Sequence, residues 1–145
     1  RILVFGGPDE SEVKESVRRR SRHPESIVPV NETLKQAAAL LGRCRLMISN
    51  DSGLMHLAMA RNVPTVAIMG PTNPARTAPF GSRAKVVKSE QPCMPCLAYP
   101  FHSTSSRIRC PYDFKCLEDV TVDQVMKASR ELMSSAVRGG PGAGV

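Results

Sequence analysis

Ile48-Ser49-Asn50-Asp51-Ser52-Gly53-Leu54-Met55-His56-Leu57-Ala58-Met59-Ala60 is the stretch that decides how this chain is read. The apolar run from Cys44 to Ile48 predicts a strand, and the small polar Asp51-Ser52-Gly53 predicts a turn. The apolar residues that follow predict a helix to about Arg61. A second apolar run, Pro64 to Met69, predicts a neighbouring strand ending at Gly70-Pro71-Thr72. Two such strand ends side by side form the usual seat for a phosphate-bearing ligand in an open α/β sheet. Unpaired backbone N–H groups and the positive end of a helix dipole meet there.

The same alternation extends in both directions. Arg1-Ile2-Leu3-Val4-Phe5 reads as a strand turning at Gly6-Gly7-Pro8, followed by a charged helix to about Arg22 and a short strand from Ser26 to Val30. Thr33-Leu34-Lys35-Gln36 has capping-box spacing and opens a helix with Leu34, Ala37, Ala38 and Leu41 on one face, ended by Gly42. Three prolines and two threonines between Pro71 and Pro79 exclude regular structure, and Ala84 to Lys88 predicts an edge strand. Thr121-Val122-Asp123-Gln124 is a second capping box, and Val122, Val125, Met126, Leu132, Met133 and Val137 form an apolar stripe. Strands and helices in this order indicate an α/β fold, a Rossmann-like parallel sheet with helices on both faces. We expect one domain over residues 1–138, with a Cys-rich loop at 93–116 and a flexible tail at 139–145. Because the sequence opens inside a strand and without Met, an upstream part is expected as well.

Composition narrows the function classes. With 41% hydrophobic and 23% charged residues, the sequence fits a soluble globular domain. No apolar run approaches the roughly 18 residues of a membrane span, and no signal-peptide pattern opens it. The net charge is +7, and residues 76–116 hold seven Lys/Arg against two acids. A basic surface of this kind suits anionic partners. Aromatics at 4% and the lack of Trp deny a single-stranded nucleic acid its stacking platforms, so phosphate recognition is favoured and nucleic acid is not expected.

In the central turn, Ser52 or Asp51 can simply cap the helix that follows. As a ligand site, Ser52 and Gly53 would offer the phosphate donors, because glycine lets a ligand approach the backbone. Asp51 would be an ionised polar anchor, and His56, one turn beyond Ser52, a donor or cation near a leaving diphosphate. The bland alternative for His56 is a partly buried ring bonded to a carbonyl. Glu10, just past the first strand, suits ribose hydroxyls or merely favours the helix start through its charge. Arg18, Arg19, Arg20 and Arg22 read as a solvated helix end.

Five cysteines remain. Cys44 reads as core, within a strand. Cys93-x2-Cys96 has a zinc-ligand spacing, whereas Cys110-x5-Cys116 matches no standard zinc pattern. Free thiols packing an otherwise coreless loop are therefore expected, with zinc the less favoured alternative and disulfides confined to an oxidising compartment.

Taken together, Ser49 to Ala58 and Val63-Pro64-Thr65-Val66-Ala67-Ile68-Met69-Gly70-Pro71-Thr72-Asn73-Pro74 resemble the bacterial lipopolysaccharide heptosyltransferases of glycosyltransferase family 9. Cys93-Met94-Pro95-Cys96, the later Cys110 and Cys116-Leu117 resemble the heptosyltransferase II branch. The likeness runs from Leu3 to about Val137. It implies the C-terminal, donor-binding half of a GT-B glycosyltransferase and an ADP-heptose donor whose diphosphate lies against Ser52 and Gly53. Gly70, Pro71 and Thr72 would complete the substrate-binding set. The family's ribose-binding acid falls on Glu10, and the aspartate and histidine of its Asp-Thr/Ser-Gly-x-x-His motif fall on Asp51 and His56.

The resemblance further implies inverting transfer to the lipopolysaccharide inner core without a required cofactor or metal. The catalytic base and acceptor site belong to an N-terminal domain that this sequence lacks, as does the family's phosphate-contacting lysine, expected upstream of Arg1. The work would be done in the cytoplasm, peripherally at the inner membrane. Tyr99 to Arg109 make the gap between the cysteine pairs longer than the family pattern. Two rivals remain at this stage: a non-catalytic zinc-bearing module that binds polyanions, and another GT-B-like sugar-nucleotide enzyme such as an epimerase or an N-acetylglucosaminyl transferase.

Overall fold

A computed structural model describes residues 1–96 and 110–138. The filler Tyr99 to Arg109 and the tail 139–145, both singled out above, lie outside the described residues, as does the side chain of Val137. The chain forms two compact units, residues 1–40 and 41–145.

In the first unit β1 (Ile2–Val4) pairs in parallel with β2 (Ile27–Pro29), Leu3 opposite Val28. A single 3-10 turn, Pro8–Glu10, leads into α1 (Ser11–Arg20), which ends two residues before the expected Arg22. The α1 residue that enters the core is Lys14, 2% exposed. Its ammonium group donates to the Val30 carbonyl at 2.8 Å, Asn31 Oδ1 at 2.6 Å and the Gly7 carbonyl at 3.4 Å. Three acceptors for three donors make burial of this cation tolerable. The lysine thereby ties α1 to the loops that follow both strands. The capping box at Thr33 forms as expected, with Thr33 N–H donating to Gln36 Oε1 at 3.0 Å and Gln36 N–H to Thr33 Oγ1 at 3.4 Å. It opens α2 (Leu34–Leu41).

The second unit is built on a three-stranded parallel sheet in the order β3 (Met47–Asn50), β4 (Thr65–Met69), β5 (Ala84–Lys88). Central β4 is buried along almost its whole length, as a continuously apolar strand between two helix layers must be. Its alternate residues serve different faces. Val66 packs with Val87 against Ala128 and Leu132 of α6 (Val122–Arg138), whereas Ala67 and Met69 pack with Met55 of α3 (Gly53–Ala60). Helices thus cover both faces of this sheet, and β5 takes its edge as read from the sequence.

Helix α3 ends with Asn62 in the left-handed region at φ 58°, with Asn62 N–H bonded to Met59 O at 2.9 Å and Val63 N–H to Ala58 O at 3.0 Å. This Schellman turn reverses the chain directly into β4.

Three details differ from the sequence reading. Strand β3 begins at Met47, so Cys44 lies ahead of it in a loop, half-buried, its thiol pushed up by burial. The proline-rich segment contains one helical turn, α4 (Pro74–Thr77), capped by Asn73 Oδ1, which accepts from Ala75 N–H at 3.0 Å. Proline at the first helical position sacrifices no hydrogen bond, which is why this turn survives. In α6, the apolar stripe is narrower than expected. Val125, Ala128 and Leu132 pack on the sheet with buried Ser129 among them, while Val122 and Met126 are exposed. Ser129 fits inside because its hydroxyl donates to the Val125 carbonyl at 2.8 Å.

Candidate functional site

The phosphate seat read from the sequence lies at the carboxyl ends of β3 and β4. Register pairs Asn50 with Ile68, so the turn Asp51-Ser52-Gly53 and the turn Gly70-Pro71-Thr72 leave the sheet side by side. Ser52 is the N-cap residue of α3 in extended conformation, yet its side chain makes no capping hydrogen bond. Its hydroxyl instead sits 3.2 Å from Ser49 Oγ. The bland reading of Ser52 as a side-chain cap is not realised. The Met55 N–H is bonded to the Ser52 carbonyl at 3.1 Å, but the first N–H groups of α3 receive nothing from the Ser52 side chain, and a helix start carries both unsatisfied donors and partial positive charge.

Gly53 is exposed, and a Cβ placed on it would meet nothing within 4 Å. No neighbour among the described residues explains the glycine; open space stands where a side chain would otherwise cover the helix amides. Gly70 has the opposite cause. A Cβ there would stand 2.6 Å from Leu117 Cδ2 and 2.9 Å from its Cγ, so the leucine after Cys116 packs onto the bare backbone of Gly70. Thr72 Oγ1 is buried and has no hydrogen-bond partner among the described residues. A buried hydroxyl left this way costs roughly 1–3 kcal/mol, which a ligand acceptor would recover.

Asp51 accepts a hydrogen bond from Thr77 Oγ1 at 2.9 Å, part-buried. Its partner is a residue the sequence reading passed over. Nothing local links positions 26 apart; only the adjacency of β3 and β4 does. His56 is exposed and makes no hydrogen bond among the described residues, unlike the carbonyl-bonded ring of the bland alternative. Glu10, in the first unit, is exposed, and its carboxylate accepts from the Gly7 N–H at 2.5 Å. Pro71 turns toward a cavity of about 20 Å³ whose lining includes Cys93, Cys96, Cys110 and Cys116. Among the residues described, these thiols are the set with soft-metal ligand chemistry.

Residues 1–104 match the model of glycosyltransferase family 9 (heptosyltransferase). Lipooligosaccharide heptosyltransferase 2 of Campylobacter jejuni is 34% identical over 143 residues, covering 93% of this chain and 41% of its own length. Among solved structures, a glycosyl transferase of family 9 from Veillonella parvula is 28% identical with a TM-score of 0.70, over 92% of this chain and 36% of that one. The structure of E. coli ADP-heptose lps heptosyltransferase II gives a TM-score of 0.71 over 94% of this chain and 37% of that one, at 24% identity, and bears on the fold alone. Both likenesses agree with the α/β, Rossmann-like reading of a GT-B enzyme fold. The chain spans about two fifths of the length of the Campylobacter relative.

Proposed function

Because the chain belongs to glycosyltransferase family 9, we propose that it is the donor-binding half of an inverting transferase that moves heptose from ADP-heptose to the lipopolysaccharide inner core. The observation that carries this reading is the pairing of Ser52, whose side chain leaves the helix uncapped, with Gly53, which has open space over its Cα. That is the arrangement a diphosphate needs in order to touch backbone amides.

As the glycosidic bond to the nucleotide breaks, negative charge grows on the departing diphosphate. Oriented N–H dipoles at Ser52 and Gly53 need no reorganisation to meet that charge, and such preorganised donors are worth about 2.7–4 kcal/mol each where they have been removed from acyl-transfer enzymes. The hydroxyls of Ser52 and of orphaned Thr72 are further donors at the same strand ends. His56, exposed one turn along α3, adds a donor or, when protonated, a cation. Asp51, held by Thr77, shapes the turn and stays off the phosphate, since two anions repel. Glu10 takes the role of ribose acceptor that the family pattern gives it. The base that activates the acceptor hydroxyl is supplied by the N-terminal half, and the transfer needs no metal ion.

The work is proposed for the cytoplasmic face of the inner membrane. Among the described residues no helix is long and apolar enough to cross one.

Calorimetric titration of the full-length protein with ADP and ADP-heptose tests the reading. Gly53→Val should weaken both by at least tenfold while the melting temperature holds. Unchanged affinity in that variant would place the diphosphate elsewhere. A preference for UDP over ADP would point to another sugar-nucleotide enzyme of the same fold.

A further inference from the structure

Four of the five cysteines are gathered at one place in the second unit. Cys93, Cys96, Cys110 and Cys116 line the same cavity of about 20 Å³, together with Pro71, Gln91, Tyr112, Phe114 and Lys115. That space is on the order of one small ion or one water. No carboxylate is among the lining residues, and all four cysteines carry free thiols.

The spacing that argued against zinc in the sequence is resolved by backbone geometry. Cys110 and Cys116 are separated by five residues, two of which, Asp113 at φ 47° and Phe114 at φ 58°, lie in the left-handed region. They fold the segment back on itself before α5 (Lys115–Glu118), so that both sulfurs reach one cavity. A phenylalanine in that conformation is costly and persists only where the surroundings impose it. The Phe114 N–H then points at Cys110 Sγ, 3.2 Å away. An amide N–H donated to a ligand sulfur orients it, as outer-shell donors do around metal sites.

Cys116 is 5% exposed. It lines the cavity together with Cys93, Cys96 and Cys110.

We propose that Cys93, Cys96, Cys110 and Cys116 bind a single zinc ion as a tetrahedral, structural four-thiolate site. No three of the described His, Cys, Asp or Glu side chains already stand at ligating geometry, so binding requires the four sulfurs to move together onto the ion. Four thiols release four protons to solvent and give a complex of charge −2, which the ammonium group of Lys115 at the cavity wall offsets. A closed four-sulfur shell leaves no position for substrate; the ion is a staple.

Its consequence for the fold is local. Among the described residues of the loop 93–116, Cys116 is the one buried hydrophobic side chain, too little to hold the segment by burial alone. Leu117, next to Cys116, packs on Gly70, and Pro71 lines the cavity. The ion would therefore fix the turn that follows β4.

The test uses the full-length protein expressed without added zinc, with metal content measured by mass spectrometry and cobalt exchanged in as a spectroscopic probe. We expect one zinc per chain and a sulfur-to-cobalt charge-transfer absorption. Both should fall at least fivefold in Cys93→Ser and Cys110→Ser and remain in Cys44→Ser. Should the serine variants fail to fold, the unmodified protein still decides. After chelation, zinc should slow the reaction of four thiols with a disulfide reagent by at least tenfold while the Cys44 rate is unchanged. Zinc below a tenth per chain with thiol rates indifferent to added zinc would overturn the site. Recovery of the four cysteines as two disulfides would do the same.

Discussion

Gly70→Ala has a sign that depends on one neighbour. The added Cβ would sit 2.6 Å from Leu117 Cδ2, 2.9 Å from Cγ and 3.5 Å from Cδ1, against an ordinary carbon separation of about 3.5–4.0 Å. Either Leu117 swings outward or the turn shifts, and overpacking of this kind destabilises by about 1–3 kcal/mol. Leu117 is already 41% exposed, which places the effect in the lower part of that range. Among the described residues Gly81 is the glycine with positive φ, so alanine at Gly70 adopts the native backbone without strain. The narrower unfolded ensemble then returns about 0.4–1 kcal/mol. The net expectation is a loss of about 1 kcal/mol. In a Leu117→Ala background the obstacle is gone and Gly70→Ala should become stabilising by about 0.4–1 kcal/mol. Urea unfolding of the four proteins reads both values from midpoints at constant m, and their difference is a coupling energy. If Gly70→Ala has the same sign and size in both backgrounds, Leu117 is not what requires the glycine. Gly53→Ala serves as the contrast: with nothing within 4 Å it should be neutral or stabilising in either background.

Other consequences are simpler. Thr77→Val deletes the hydroxyl that donates to Asp51 Oδ2, and thermal melts should show a loss of about 1–2 kcal/mol, with a smaller loss in an Asp51→Ala background. Lys14→Met keeps the bulk of a buried side chain but leaves the Val30 carbonyl and Asn31 Oδ1 without their donor; destabilisation of about 1–3 kcal/mol in urea is expected, and a neutral result would deny the lysine its tethering role. Glu131 is held below the ordinary carboxylate range by its hydrogen bond from Lys85, and by that residue's charge. A depressed folded-state value means that this contribution is complete above the ordinary range and disappears as pH falls through the lower value. Glu131→Gln should therefore melt slightly below the parent at neutral pH and converge with it in acid; a constant gap would contradict the pairing.

Much of this architecture was legible from local signals. Both capping boxes formed as read, because Thr33 with Gln36 and Thr121 with Gln124 need only the spacing of one helical turn. Central strand β4 announced itself as a continuous apolar run, and the family was legible in the two turns at the strand ends. What the linear order could not show are relations between segments far apart. Asp51 meets Thr77, Gly70 is a glycine because Leu117 lies on it, and the core face of α6 is the one that meets Val66 and Val87, which leaves Val122 and Met126 outside. Cys93-x2-Cys96 and Cys110-x5-Cys116 looked mismatched because spacing along a chain measures contour length, whereas ligation depends on where the backbone returns. Periodicity and capping are encoded within about one turn of chain. Which strand ends lie together, and which sulfurs share a cavity, follow only once the parallel sheet has brought its crossovers back to the same edge.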